Sequence, residues 1–298
     1  MNAFDETAKN KWKSYFLIFL FTIILIAIGY VFGEIYGQGN IGITIFFMIF
    51  AFILSVLMAL VSYYLGDKAA LSISHAYPAN RINHAHYINC VEGLAIAAQI
   101  PVPKIYVLPD QSINAFATGR DPKHASIAVT EGALKKLNRV ELEGVVAHEM
   151  SHIKNYDVRL MTITVILVGL IALLSDFFLR GMIFGIGDRD RRDGGGAIFI
   201  VIGLVLAILA PIVAELIKLA ISRKREYAAD ATGAILGRNP SALADALKKI
   251  KKDDLATKYS SKATAHMYFS NPMKKGFWSN MFSTHPPIDE RIRRLESM

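Results

Sequence analysis

The 298-residue chain is short of the charge expected of a soluble globular enzyme: 19% of its residues are charged, 53% are hydrophobic, and the mean hydropathy is +0.35. That shortage makes a membrane protein the first class to test. Cysteine is scarcer still. The single Cys90 rules out an internal disulfide and fits a reducing compartment. A cleavable leader is missing too: the first apolar run is longer than the about 7–15 residues of a signal-peptide core, and no small-residue cleavage site follows it before Glu34 and Tyr36. It is expected to remain as an anchor. Internal repeats are absent, and low complexity is confined to the Arg/Asp/Gly stretch 187–196. The net charge of +8 (pI ≈ 9.4) is spread over membrane flanks and two polar regions, so it points to a membrane-facing surface and no nucleic-acid partner is expected.

What the chain does have is long apolar runs. Residues 15–33 and 41–64 contain no charge, and each reaches the about 20 residues needed to span a bilayer. Two further runs, 159–184 and 197–219, carry Arg159, Asp176, Arg180, Glu215 and Lys218, which are tolerable where they snorkel or face protein. Four transmembrane helices follow, and with them a division into four parts. Residues 1–64 form a tail and two spans, 65–158 a first polar half-domain, 159–219 two more spans around a polar loop at 185–196, and 220–298 a second half-domain. An even number of spans puts both half-domains on one side. Lys9, Lys11 and Lys13, against a first loop (34–40) without Lys or Arg, put that side in the cytoplasm of a multi-pass cell-membrane protein. Arg189, Arg191 and Arg192 in the second loop pull weakly the other way.

The polar halves read as mixed. Residues 90–99 look helical, whereas 104–108, 113–119 and 125–130 are short β-rich segments separated by Pro, Asp or Gly signals. Thr130 and Asn138 stand as N-caps, and the helix after Asn138 has no internal Gly or Pro beyond Val146, so it is expected to run straight into the third span. After Asn239 an amphipathic helix is expected, and the chain ends on a helix opened by proline. Residues 253–284 show no pattern. The fold class expected is mainly α, with four transmembrane helices and an α+β domain holding a small β-sheet.

The chemistry centres on His148-Glu149-Met150-Ser151-His152, an HExxH segment. On a helix, His148 and His152 stand at i and i+4, so both imidazoles reach one metal ion, while Glu149 lies beside them as a base for a metal-activated water. At this chain's own His frequency, chance would produce the pattern only about 0.01 times in this length. The third ligand of a metzincin is missing, because Asn155 and Val158 stand where HExxHxxGxxH needs Gly and His. A later helix offers Glu226, with Asp230 four residues on. Glu226 suits a ligand, and Asp230 suits a carboxylate that orients a ligating histidine. A surface pairing of Asp230 with Lys224 or Arg225 is the plainer alternative.

An ordered set of segments runs the whole length of the chain: two N-terminal spans, Asn114-Ala115-Phe116, EGAL (131–134), VVAHEMSHIKNYD (145–157), two further spans, SRKREYAAD (222–230) and THPPIDERI (284–292). In this set the chain resembles the HtpX group of membrane zinc metallopeptidases, gluzincins related to the CAAX prenyl endopeptidases. The resemblance implies one Zn²⁺ held by His148, His152 and Glu226, and Glu149 as general base and acid. It implies protein quality control by cleavage of membrane or misfolded proteins at the cytoplasmic face. It also implies that Asn114, Ala115 and Phe116 line the cleft, where an extended substrate adds as a strand, and that His285 or Arg291 stabilises the oxyanion. His75, His84, His86, His124 and His266 lack a ligand pattern.

Two other classes would use the same residues differently. A zinc-binding scaffold without turnover would not need an intact Glu149. A metal transporter would carry its ligands near the middle of the spans, yet every histidine lies outside the four apolar runs. Zinc analysis with a proteolysis assay, run with and without chelator, separates these classes.

Overall fold

The computed structural model describes residues 3–167, 169, 223–253, 255–258, 264–270 and 286–298. Two long helices open the chain, α1 (Ala3–Gly37) and α2 (Ile41–Ile73). Among the described residues these are the two helices long and apolar enough to cross a membrane. At 1.5 Å per residue each measures about 50 Å, so each overshoots a hydrocarbon core of about 30 Å. Apolar side chains such as Phe46, Phe50 and Leu57 stand on the outer surface of α2, where water would penalise them and lipid would not. The helices turn back on each other within a few residues. Gln38 and Gly39 take positive φ values of 48° and 87°, and the Asn40 side chain caps α2 by accepting from Gly42 N at 2.9 Å. Small residues let them approach closely: a Cβ on Gly33 would stand 2.5 Å from Thr44 Cα.

A four-stranded mixed sheet follows, in the order β1 (Tyr77–Pro78), β2 (Lys104–Leu108), β4 (Ala125–Thr130), β3 (Ala115–Gly119). β2 and β4 run parallel, and β3 is antiparallel to β4 with Phe116 opposite Ala128. β4 is buried along its whole length, which suits its small and β-branched residues. One edge of the sheet is therefore β3, an arrangement that matters below. Helix α3 (Arg81–Ala98) begins earlier than its sequence pattern indicates, because Asn80 caps it through Asn83 N.

Thr130 caps α4 (Glu131–Lys136), and Asn138 caps α5 (Arg139–Lys154) through a reciprocal pair of bonds with Glu141. The continuous helix expected from Asn138 into the third span is corrected here. The chain breaks at Asn155-Tyr156, where Tyr156 takes φ 60°, and becomes helical again over 157–167. That second stretch packs Leu160, Ile163 and Leu167 against Leu17, Phe21 and Leu25 of α1. It also docks on the end of β3, where Gly119 N donates to Thr162 Oγ1 at 3.0 Å. Arg159, assigned to this span, lies buried with its Nε on Arg120 O at 2.6 Å and its guanidinium over the Tyr63 and Tyr156 rings. The remainder of the run 159–184 apart from residue 169, the loop 185–196 and the run 197–219 lie outside the described residues.

Among the described residues three more helices follow: α6 (Arg223–Leu236), α7 (Pro240–Lys252), capped by Asn239, and α8 (Ile288–Glu296), which starts after Pro287. α5 is the hub, in contact with α3, β3, α6 and α7. A single apolar core joins these elements to the sheet.

Candidate metal centre

Two helices meet at the site, and a glycine allows them to. Glu226, Asp230 and Gly233 fall at i, i+4 and i+7 on one face of α6. Gly233 presses on the backbone of α5, where an added Cβ would stand 2.9 Å from His148 N. The two carboxylates are thereby brought to the histidines. Gly233→Val should force the helices apart and weaken zinc binding by about 10–100-fold or more. Metal retained after dialysis, read beside circular dichroism for the fold, checks this.

His148 and His152 project from one face of α5, with their Nε2 atoms 3.1 Å apart. Glu226 Oε2 lies 3.7 Å from His148 Nε2, and Glu226 Oε1 lies 3.6 Å from His152 Nε2. All three residues are buried, and their donor atoms lie within 4.8 Å of one another. A tetrahedral zinc ion bound at about 2.0–2.1 Å sets its donors about 3.3 Å apart, so this set of two imidazoles and a carboxylate fits Zn²⁺.

The other nitrogen of each imidazole is held by a carboxylate. Asp230 Oδ1 lies 2.9 Å from His148 Nδ1, and Asp157 Oδ2 lies 2.9 Å from His152 Nδ1. A proton on each Nδ1, donated to these carboxylates, directs both Nε2 lone pairs at the same point. Asp230 pairs bidentately with Arg291, whose Nε and Nη2 donate at 2.8 and 2.7 Å. Although burial works against its charge, the Arg291 guanidinium and the His148 bond hold the Asp230 carboxyl well below the usual carboxylate range. Asp157 in turn accepts from Asn10 Nδ2 at 2.6 Å and from Arg225 Nη1 at 3.3 Å.

The titration of the centre follows from these contacts. Burial drives His148 down to about 4, overcoming the opposing Asp230 bond. His152 is pushed up to about 9: burial disfavours its cation, but the Asp157 hydrogen bond and the charges of Glu226, Asp157 and Glu149 outweigh it. Burial raises Glu149 to about 7; the Glu226 carboxylate adds to this, while His152, Arg291 and a backbone hydrogen bond from Ala117 on β3 oppose it. A metal needs the neutral imidazole, so below pH 9 it must displace the His152 proton. Zinc affinity should therefore fall as pH is lowered from about 9, with a proton released on binding. Calorimetry in buffers of different ionisation enthalpy measures that proton.

Of the residues singled out in the sequence, His148, Glu149, His152, Glu226, Asp230 and Arg291 are thus assembled in one buried cluster. Arg291 stands against Asp230 and also donates from Nη1 to the Phe269 carbonyl at 3.2 Å. Asn114 immediately precedes β3, is buried, and bonds through its side chain to Thr257 and Ser270, while Ala115 and Phe116 form the start of that edge strand. His285 lies outside the described residues. His266 is buried against the Met161 carbonyl, away from any ligand role. Asn10 carries no sequence signal at this site, while Asp157 and Arg225 fall in the segments VVAHEMSHIKNYD and SRKREYAAD without a spacing that ties them to the ligands. Asp157 stands five residues from His152, which on an unbroken helix would face it away, and the turn at Tyr156 brings it back.

The chain as a whole is similar to known proteins. Residues 82–298 match the model of Peptidase family M48. A "Protease HtpX homolog" of Caldanaerobacter subterraneus subsp. tengcongensis is 49% identical, covering 99% of this chain and 97% of that protein. Others so named include those of Thermoanaerobacter pseudethanolicus, 45% identical with the same coverage, and Streptococcus gordonii, 39% identical and covered to 99% on both sides. Among solved structures, S. mikatae Ste24p is similar in fold, with a TM-score of 0.50 at 20% identity over 91% of this chain and 62% of that one.

Proposed function

The chain belongs to peptidase family M48, and from that premise we propose that its metalloendopeptidase activity is exercised by Zn²⁺ bound to His148, His152 and Glu226, on membrane or misfolded proteins at the cytoplasmic face of the cell membrane. The observation that carries this reading is the convergence of two Nε2 atoms and one carboxylate, with a second carboxylate fixing each imidazole. When bound, zinc supplies a Lewis acid that polarises the scissile carbonyl and acidifies a water. Glu149, with its carboxyl raised to about 7, would be the group that accepts a proton from the attacking water and returns it to the leaving amine. Asp230 and Asp157 keep the imidazoles in the ligating tautomer. Arg291, in reach of a main-chain carbonyl, is the donor aimed at a bound peptide.

Several features support the location. Asn10 lies at the N-terminal end of α1 and bonds to Asp157, while Ser74 at the far end of α2 bonds to Tyr268, the chain neighbour of Phe269, whose ring packs on His148. In a two-helix hairpin these ends lie on one side, so the centre shares its side with Lys9, Lys11 and Lys13, a basic flank of the kind kept in the cytoplasm. Asn10 is about 8 Å of helix from the first apolar run, which sets the metal close to the bilayer surface. That position supports a role in quality control of membrane proteins, because the bilayer itself would present such substrates. Four spans and the division at 64, 158 and 219 belong to the same proposal. Purified protein in lipid vesicles should cleave a helical membrane substrate until a chelator is added, and recover on addition of zinc. Cleavage indifferent to chelator contradicts the reading.

A further inference from the structure

The edge of β3 beside the metal centre is already occupied by a short extended contact from the chain itself. Tyr268 bridges Phe116 in the antiparallel sense, and Phe269 N donates to Ala115 O at 2.8 Å. Asn114 extends the pairing with its side-chain amide, donating to Ser270 O and accepting from Ser270 N, both at 3.2 Å. Arg291 Nη1 donates to Phe269 O at 3.2 Å. The Phe269 ring stands edge-to-face on the His148 imidazole with centroids 4.9 Å apart, and the Arg291 guanidinium lies 4.7 Å from its centroid.

Each of these polar contacts uses a main-chain atom of Phe269 or Ser270. They would serve a peptide of any sequence equally well, which is how an extended substrate joins an exposed sheet edge. Two chains cannot share one row of donors and acceptors. We propose that Tyr268–Ser270 is a built-in competitor that holds the place of a substrate strand and must leave β3 before a peptide is cleaved. This rests on the proposed peptidase reading of the same centre.

A second contact shows how the segment is held. Tyr268 donates its hydroxyl to Ser74 Oγ at 3.1 Å, at the C-terminal end of α2. The competitor is therefore fastened to the second apolar helix, and a change in how that helix sits would be felt at the cleft. His148, on which the Phe269 ring packs, is 1% exposed.

The test uses the full-length zinc-loaded protein in detergent and a fluorogenic peptide. Phe269→Ala, which removes the ring contacts, should lower KM about tenfold and leave kcat within about twofold, as expected when the competent state becomes more populated. Tyr268→Phe, which removes the bond to Ser74, should shift KM the same way by a smaller factor. An unchanged or raised KM, or a lowered kcat, would make the segment part of the substrate-binding wall and overturn the proposal. Should Phe269→Ala fail to fold, hydrogen exchange on Glu149→Gln decides. Adding the peptide should speed exchange at the Phe269 and Ser270 amides about tenfold, whereas unchanged or slower exchange refutes displacement. Wild-type protein without chelator-sensitive cleavage counts against the peptidase reading alone, because the exchange measurement still reports on competition.

Discussion

Glu149→Gln should fold, bind one zinc per chain and cleave about 10²–10⁴-fold more slowly than the wild type. The change keeps the size of the side chain and its hydrogen bond from Ala117, and Glu149 is outside the group of donors that could hold the metal. What disappears is the group that accepts and returns the proton. Metal content by mass spectrometry and cleavage of a membrane substrate measure the two halves separately. Cleavage at the wild-type rate would remove Glu149 from the mechanism, and loss of metal would show that it has a structural part in the centre. The pH dependence has a defined sign: with the carboxyl raised to about 7, the base form of the metal-free site is lost as pH falls through that value.

Glu226→Gln should cost more in metal than any change behind the imidazoles. It removes the only carboxylate among the three donors, together with the charge that helps draw a cation into a buried site. Changes in carboxylates that orient ligating histidines typically cost 10–100-fold in metal affinity, so Asp157→Asn or Asp230→Asn should fall in about that range and Glu226→Gln above it. Competition with a chromogenic chelator ranks the three. Asp230→Asn carries an added effect, since it leaves the buried Arg291 guanidinium without its bidentate partner, and its stability should fall as well. An order in which Glu226→Gln binds zinc as tightly as the wild type would remove Glu226 from the donor set.

Much of this centre was legible in the sequence because helical periodicity alone brings the residues together. His148 and His152 share a face at i and i+4, and Glu226 and Asp230 do the same on a second helix. The caps at Thr130 and Asn138 were equally visible, since each side chain precedes a helical run and reaches the amide three residues on. What stayed hidden depends on departures from regular structure or on distant contacts. Asp157 becomes the partner of His152 only through the left-handed turn at Tyr156. Asn10 reaches Asp157 across 147 residues of sequence, and no local pattern announces such a pairing. Gly233 reads as an ordinary helical glycine until the backbone of His148 is found against it. Residues 268–270, without any periodic pattern, acquire meaning only as the neighbour of a sheet edge whose strand order the sequence does not specify.

The most direct measurement is anomalous diffraction at the zinc edge from crystals of the Glu149→Gln protein. The result expected is one strong peak within about 2.0–2.2 Å of His148 Nε2, His152 Nε2 and a Glu226 carboxylate oxygen. A protein that cleaves in a chelator-sensitive manner but shows its metal elsewhere, or with Glu226 turned away from it, would contradict the proposed centre.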